Sequence, residues 1–147
     1  MKKITIYTDG ASRGNPGPSS LGAVFKNEKD QVFKEYSQFL GNKLTNNEAE
    51  YSAVIFALKK FKLLFGKKMA KVSEVELKSD SDLLVKQLNG KYKIIDKKIQ
   101  ELFLEVWNLR LDFKKVKFTH IARSRNKRAD ALANQSLDER VKIQKLL

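Results

Sequence analysis

The chain has 147 residues, 41% of them hydrophobic, which is enough to bury the core of one domain over residues 1–147 and excludes a disordered basic tail. Its 30 Lys and Arg residues against 17 Asp and Glu residues give a formal net charge of +13, so the surface repels basic partners and attracts phosphate polymers, with nucleic acid as the leading candidate. The absence of cysteine excludes disulfides and thiolate metal sites, and the longest apolar run, residues 53–58, is far shorter than the roughly 20 residues of a membrane span.

The first half of the chain predicts three strands and a long helix. Residues 4–8 form a short apolar run typical of a strand, and residues 20–26 and 31–40 form a hairpin around the turn Asn-Glu-Lys-Asp. Over residues 46–65 the apolar positions recur at spacings of three and four, which predicts an amphipathic helix. We expect this helix to end at Gly66, because glycine disfavours the helical conformation.

The second half of the chain alternates strands with helices. Residues 75–78 predict a short strand, residues 83–88 a brief helix, and residues 96–112 a longer one. Residues 116–122 predict a last strand, and the chain from 126 onward is helical with an apolar face. The order βββαβααβα predicts an α/β fold, in which a mixed sheet carries helices on its faces.

Four acidic residues stand at positions where these patterns call for apolar ones. Asp9 ends the first strand, Asp80 ends the fourth, Glu50 lies inside the first helix, and Asp130 lies near the start of the last. Three of them have a purely structural alternative: Asp80 as a helix N-cap, Asp9 as a turn residue, and Asp130 as an acid favoured by the positive end of its helix. Taken singly, these alternatives stay open.

Glu50 has no such alternative, because it lies on the apolar stripe of its helix. The stripe continues through Ala53, Val54, Ala57, Leu58 and Phe61. An unpaired buried carboxylate costs several kcal/mol, and a divalent cation, which takes oxygen ligands, would compensate that cost. If the strands ending at Asp9 and Asp80 are neighbours, all four acids meet at one edge of the sheet and suit two Mg²⁺ ions about 4 Å apart, the arrangement for in-line phosphoryl transfer.

Four stretches of the chain, in matching order and approximate spacing, resemble the type 1 ribonuclease H family. They are "YTDGASRGNPGP" around Asp9, "TNNEAEYSA" around Glu50, "KSDS" around Asp80 and "HIARSRNKRADALAN" around Asp130. Each stretch is a weak signal alone, but the four together are specific. The resemblance implies a ribonuclease H-like fold, with a five-stranded mixed sheet of three antiparallel and two parallel strands flanked by helices.

The resemblance also implies an activity and roles for the acids. The chain would be an endonuclease that hydrolyses the RNA strand of RNA/DNA hybrids by two-metal-ion catalysis and leaves 5′-phosphate and 3′-hydroxyl ends. Its cofactor would be two Mg²⁺ ions per site, with Mn²⁺ able to substitute. Asp9 would bridge both ions, Asp130 would complete the ion that activates the attacking water, and Glu50 and Asp80 would complete the other.

The single histidine and a set of small polar residues complete the implied site. His120 matches a histidine of the family that assists proton transfer or product release, although a histidine at a strand end also serves simply as a hydrogen-bonding group. The implied substrate contacts are Gly10, Ser12, Asn15, Thr45, Asn46, Asn47 and Asn126. Asn15 and Asn46 would touch the minor groove of the hybrid, while Thr45 and Asn47 would hold a phosphate of the DNA strand. Glycines near Asp9 would let the substrate backbone approach closely.

Thr45 has a second explanation in the sequence, because Thr45 and Glu48 form the T-x-x-E pattern of a helix capping box. A structural role and a substrate contact are compatible. Phosphate binding and simple solvation are both open for four basic residues before and around Asp130: Arg123, Arg125, Lys127 and Arg128.

Three alternatives to the hybrid nuclease share this fold. They are a nucleic-acid-binding module without catalysis, a member that cleaves double-stranded RNA, and another nuclease such as a junction resolvase. All four carboxylates are present, which disfavours the first of these. For each we expect a cytoplasmic monomer without a membrane contact or an obligate protein partner.

Overall fold

The structure is a computed structural model that describes residues 3–147. Its strands are β1 (Lys3–Ser12), β2 (Gly17–Lys26), β3 (Val32–Leu44), β4 (Glu74–Ser79) and β5 (Lys115–His120). Its helices are α1 (Asn46–Val72), α2 (Asp82–Leu88), α3 (Lys97–Arg110) and α4 (Lys127–Leu146), preceded by a 3-10 turn at Arg123–Arg125. The five strands form one sheet in the order β3-β2-β1-β4-β5, antiparallel on the β1–β3 side and parallel from β1 to β5. The predicted mixed sheet and element order are confirmed.

Helices cover both faces of this sheet, and the alternation along β1 shows how the core is divided. Ile4 and Ile6 point into the main core, which also contains the apolar stripe of α1 and the inner faces of α2 and α3. Tyr7 points to the other face, where it packs with Val24 and Ala129 under α4. Since successive side chains of a strand point to opposite faces, β1 connects both layers. Both α1 and α4 contact this strand.

The prediction that Asp9 ends its strand is wrong. β1 continues to Ser12, which pairs with Ser19 of β2, so Asp9 lies inside the antiparallel ladder. The parallel ladder with β4 ends earlier, at the pair Tyr7 and Lys78. The apolar pattern stops at Asp9 because β4 no longer flanks the chain there. The strand nevertheless continues through polar residues, because its hydrogen bonds to β2 continue. Asp9 thus emerges where the sheet opens on its β4 side.

Three predicted boundaries differ in extent from the structure. Gly66 interrupts α1 as predicted, with a non-helical backbone at φ 84° and ψ 167°, but helical structure resumes beyond it to Val72, where Ala70 is fully buried in the core. β3 extends beyond residue 40 to Leu44 through irregular pairing with β2. β5 ends at His120, although the Ile121 amide still donates to the Ser79 carbonyl. Among residues 3–147, the helices are all too short or too polar to cross a bilayer.

Candidate active site

The four predicted acids line one cleft of about 420 Å³ at the carboxyl ends of β1 and β4. Carboxylate oxygens of Asp9, Glu50 and Asp80 lie within 4.8 Å of one another. The Asp130 side chain lines the same cleft, close enough to Asp9 to raise the pKa of that carboxyl. Four separate segments, β1, α1, the end of β4 and the first turn of α4, therefore deliver one carboxylate each to the same place.

The structural alternatives considered for Asp80 and Asp9 do not apply. Asp80 follows β4 directly, but the N-cap of α2 is the next residue, Ser81, whose hydroxyl accepts the Leu84 amide. Asp9 lies within β1 and is only 6% exposed, so it is not a turn residue. Asp130 does lie in the first turn of α4, where the helix dipole favours an acid. That role is compatible with a place in the cluster.

Two glycines let the helices approach Asp9 closely enough to form this cluster. A Cβ on Gly10 would overlap the α1 backbone at Ala49 and Glu50, and the Gly10 amide donates to the Glu50 carboxylate at 2.7 Å. The space on the Cβ side of Gly10 thus holds α1, while Gly10 also lines the cleft, so the close approach of a substrate backbone there stays a prediction. On the neighbouring strand, Gly22 pairs with Asp9, and a Cβ there would overlap the Ala129 carbonyl of α4.

Burial and mutual repulsion make this cluster hard to ionise. Burial raises the pKa of Asp9 well above its usual range, and the charges of Glu50 and Asp80 raise it further. Burial likewise raises the pKa of Glu50, against the opposing effect of the Gly10 amide, and it raises the pKa of Asp80. A divalent cation would offset this repulsion, and closely spaced carboxylates provide the oxygen ligands that hard divalent cations such as Mg²⁺ prefer. The donor chemistry therefore fits divalent metal ions.

Arg123 is the cationic side chain that lines the cleft within the described part of the chain. Its charge lowers the pKa of both Glu50 and Asp80, in opposition to burial. Arg128 faces away from the cleft and binds Glu35 of β3 through two hydrogen bonds of 2.8 and 2.9 Å. Of the basic residues in this region, Arg123 is thus the one placed to meet a phosphate in the cleft.

The small polar residues predicted to contact substrate occupy two positions around the cleft. Ser12 and Asn46 line it directly. Asn15 lies in the β1–β2 loop, where its side-chain oxygen accepts the Asn46 amide at 3.0 Å. Thr45 caps α1, and both bonds of its capping box with Glu48 are present. The β1–β2 loop and the start of α1 therefore form one connected polar rim.

Asn47 lies behind this rim and leads to a residue that the sequence did not point to. The Asn47 side-chain amide donates to the side-chain oxygen Oε1 of Gln87 at 3.3 Å, and the Tyr51 hydroxyl donates to the same oxygen at 3.0 Å. Gln87 is 7% exposed and ties α2 to α1. Its position on the inner face of a short amphipathic helix was its one signal in the sequence.

Asn126 is placed differently from expectation, because it is 1% exposed and closed off from any substrate. Its side-chain amide donates to the Thr8 carbonyl at 2.9 Å, beneath the carboxylates. The contact of Asn126 with the hybrid stays a prediction that this burial disfavours. It came from the resemblance alone, and the sequence around it carries no sign of burial.

His120 and Asn134 complete the surroundings of the acids. His120 is exposed at the end of β5, in register with Ser79, and it does not line the cleft. Asn134, which the sequence analysis missed, lines the cleft one turn after Asp130 and donates to the Asp130 backbone and side-chain oxygens at 3.0 and 3.3 Å. Its spacing of four residues from Asp130 on a helix is the signal that could have identified it.

Comparisons with known proteins identify relatives along most of the chain. A profile of the family described as Reverse transcriptase-like matches residues 7–136. The chain is 38% identical over 137 positions to Ribonuclease HI of Halobacterium salinarum, covering 93% of this chain and 65% of that protein. It is 32% identical to Ribonuclease H of Clostridium botulinum, covering 95% of this chain and 98% of that protein. A bifunctional protein of Mycobacterium tuberculosis is 34% identical, and the chain spans 36% of its length. The chain thus spans less than two thirds of the Halobacterium and Mycobacterium proteins.

Solved structures match the fold closely. The crystal structure of RNase H1 from Halobacterium salinarum superposes with a TM-score of 0.85 at 38% identity, covering 93% of this chain and 98% of that one. The crystal structure of LC11-RNase H1 in complex with RNA/DNA hybrid superposes with a TM-score of 0.88 at 40% identity, covering 94% of this chain and 99% of that one.

Proposed function

We propose a function that follows from one established premise, which is that this chain belongs to the ribonuclease H family. The proposed function is that of an endoribonuclease, which hydrolyses the RNA strand of RNA/DNA hybrids and leaves 5′-phosphate and 3′-hydroxyl ends. The observation that carries the proposal is the convergence of Asp9, Glu50, Asp80 and Asp130 in one open cleft. The hybrid bound by the similar LC11-RNase H1 supports the choice of substrate.

The proposed cofactor is a pair of Mg²⁺ ions, for which Mn²⁺ would substitute, held by the four carboxylates. When bound, such ions activate a water molecule and stabilise the leaving oxygen of an in-line displacement. The chain itself supplies negative charge at a fixed place, since each carboxylate is carried by a different segment of the fold. The Gly10 amide orients the Glu50 carboxylate, and Asn134 orients that of Asp130.

Substrate binding would use the polar rim and the basic surface. Ser12, Asn15 and Asn46 present small polar groups of the kind that can contact 2′-hydroxyls in a wide, shallow minor groove. Arg123 would meet a backbone phosphate. Since the net charge of +13 acts on phosphates without reading bases, the proposed binding depends little on sequence and weakens steeply with salt.

The decisive experiment compares nucleic acid substrates and metals. Purified protein is incubated with labelled RNA/DNA hybrid, double-stranded RNA or double-stranded DNA, in Mg²⁺, Mn²⁺ or EDTA. We expect cleavage of the RNA strand of the hybrid in either metal and none in EDTA. Cleavage of the DNA duplex alone would favour a resolvase, and cleavage of double-stranded RNA in preference to the hybrid would reassign the substrate.

His120→Ala is expected to slow turnover by roughly 10²-fold, at the low end of what a positioned acid–base group contributes. Metal affinity should be unchanged, because His120 stands at the end of the edge strand and does not line the cleft. Single-turnover cleavage and calorimetric titration with Mn²⁺ measure the two effects separately.

Lys117→Ala is the matched control for this variant, because Lys117 is another exposed residue of β5, three positions earlier. It should retain the wild-type rate. A loss of metal affinity in the His120 variant, or a rate equal to that of the wild type, would contradict an auxiliary role in the reaction.

A further inference from the structure

Asn126 stands at the N-cap of α4 but does not cap it. Asn is favoured at this position because its side-chain oxygen can accept an amide of the first turn, a bond worth about 1 kcal/mol. Here the side chain makes no such bond, while the Asn126 backbone carbonyl accepts the Asp130 amide at 3.0 Å. The side chain has therefore been diverted from its usual stabilising role.

The diverted side chain reaches the strand that carries Asp9. Its Nδ2 donates at 2.9 Å to the carbonyl of Thr8, the residue before Asp9, at the point where the ladder with β4 has already ended. Asn126 thus supplies a donor to a buried carbonyl that β4 no longer flanks. Because both residues are fully enclosed, this bond fixes the start of α4 against β1.

A third acid-bearing segment also meets Asn126. Its amide lies near the Asp80 carboxylate, and this polar neighbour opposes the rise of the Asp80 pKa caused by burial. One buried side chain therefore contacts the segments that carry Asp9 and Asp80, while its own backbone holds the turn that carries Asp130.

The unused oxygen of Asn126 shows that this arrangement is not the most stable one available. Its Oδ1 is buried and has no hydrogen-bond partner among residues 3–147, which costs about 1–3 kcal/mol. A flipped amide would place this oxygen against the Thr8 carbonyl oxygen, so the donors fix the orientation. A buried orphan acceptor together with a missing cap points to a requirement other than stability.

We propose that Asn126 is a positioning residue, which holds Asp9, Asp80 and Asp130 at the mutual spacing that binds divalent metal ions. The inference rests on the proposed metal-dependent function and assigns Asn126 to the metal centre in place of the hybrid surface. It separates two effects of substitution: metal affinity should fall, and the KM for hybrid at saturating metal should not rise.

The test uses Asn126→Leu, which keeps the side-chain volume and removes both donors. Asn89→Leu is the matched control, because the Asn89 amide also donates to a strand carbonyl, that of Phe118 at 3.1 Å, but lies outside the acidic cleft. Mn²⁺ is titrated calorimetrically into each full-length variant without nucleic acid. We expect a Kd at least 10-fold weaker for Asn126→Leu and within 2-fold of wild type for Asn89→Leu.

Three results would overturn the inference. An unchanged Mn²⁺ Kd in Asn126→Leu would make the residue merely structural, and a raised hybrid KM with unchanged metal affinity would make it a substrate contact. If the variant does not fold, hydrogen exchange of the Asn126 side-chain amide is followed by NMR in the wild type. Slow exchange, together with a change in the chemical shift of these protons when Mg²⁺ alone is added, supports the inference. Fast exchange overturns it. Failure of the wild type to cleave hybrid, scored separately, would instead overturn the proposed function.

Discussion

Asp9→Asn is expected to abolish hybrid cleavage and yet leave the metal-free protein as stable as the wild type or more stable. Asn has nearly the same shape as Asp but no charge, so the variant loses a ligand in the middle of the cluster. A fall in kcat on the order of 10³-fold or more is expected when an electrostatic group this central is removed. In EDTA, however, the same change removes both the burial penalty and the repulsion from Glu50 and Asp80.

The stability gain of Asp9→Asn should depend on pH. Because the pKa of Asp9 is raised in the folded protein, the folded state holds a proton that the unfolded state releases above about pH 4. The free energy of unfolding of the wild type therefore falls as pH rises from there toward the raised pKa, by up to about 1.4 kcal/mol per pH unit. Asn carries no such proton, so the variant's advantage should grow from pH 4 to pH 8.

Urea unfolding in EDTA at several pH values measures this effect alongside the cleavage rate in Mg²⁺. Glu139→Gln is the control, because it changes the net charge equally at an exposed position whose side chain accepts a hydrogen bond from Gln135, outside the acidic cleft. It should leave activity and the pH slope unchanged. A metal-free Asp9→Asn protein that is clearly less stable than the wild type would mean that Asp9 serves the fold.

The convergence of the acids was predictable because Asp9, Glu50 and Asp80 interrupt apolar patterns of their own elements. Glu50 shows this best: a carboxylate on an apolar helical stripe requires a compensating partner, and the stripe itself offers no cation at helical spacing. Asp80 was predictable from the point where a short apolar strand stops. In the structure, Asp80 follows the last residue of β4, and Glu50 meets it across the cleft.

The contacts that hold this cluster together were not predictable, because they join segments distant in sequence. Nothing in β2 marks Gly22 as the residue on which α4 rests, since its partner Ala129 lies in the last helix. Nothing around Asn126 marks it as buried, since its burial follows from the free Thr8 carbonyl on β1. The part of β1 beyond Asp9 was not predicted for the same reason: pairing with β2 keeps these residues in the strand, although their own polar side chains do not indicate one.

Gly22→Ala is expected to lower both stability and activity, because it moves a helix that carries part of the site. A Cβ at position 22 would overlap the Ala129 carbonyl oxygen and lie 2.8 Å from the Ala133 amide nitrogen. Both contacts are with backbone, so α4 must shift away from the sheet. We expect the free energy of unfolding to fall by about 3 kcal/mol, as for a severe overpacking of a core.

Activity should fall further than stability alone explains, because Asp130 moves with α4 while Asp9, paired with Gly22, stays on the sheet. A displacement of this kind can cost on the order of 10²-fold in rate even when the enzyme stays folded. Urea unfolding, Mn²⁺ titration and hybrid cleavage at a temperature where the variant is folded separate the two losses.

Gly66→Ala provides the comparison, because a Cβ there meets open space and only the φ of +84° opposes it. That strain costs about 1–3 kcal/mol, at a bend of α1 that does not line the cleft, so the metal affinity and rate of the folded variant should match the wild type. If Gly22→Ala behaves like Gly66→Ala, then α4 yields without displacing Asp130, and the close approach of helix to strand is a feature of packing alone. If only Gly22→Ala loses metal affinity, the missing side chain at position 22 is what allows the fourth carboxylate to join the other three.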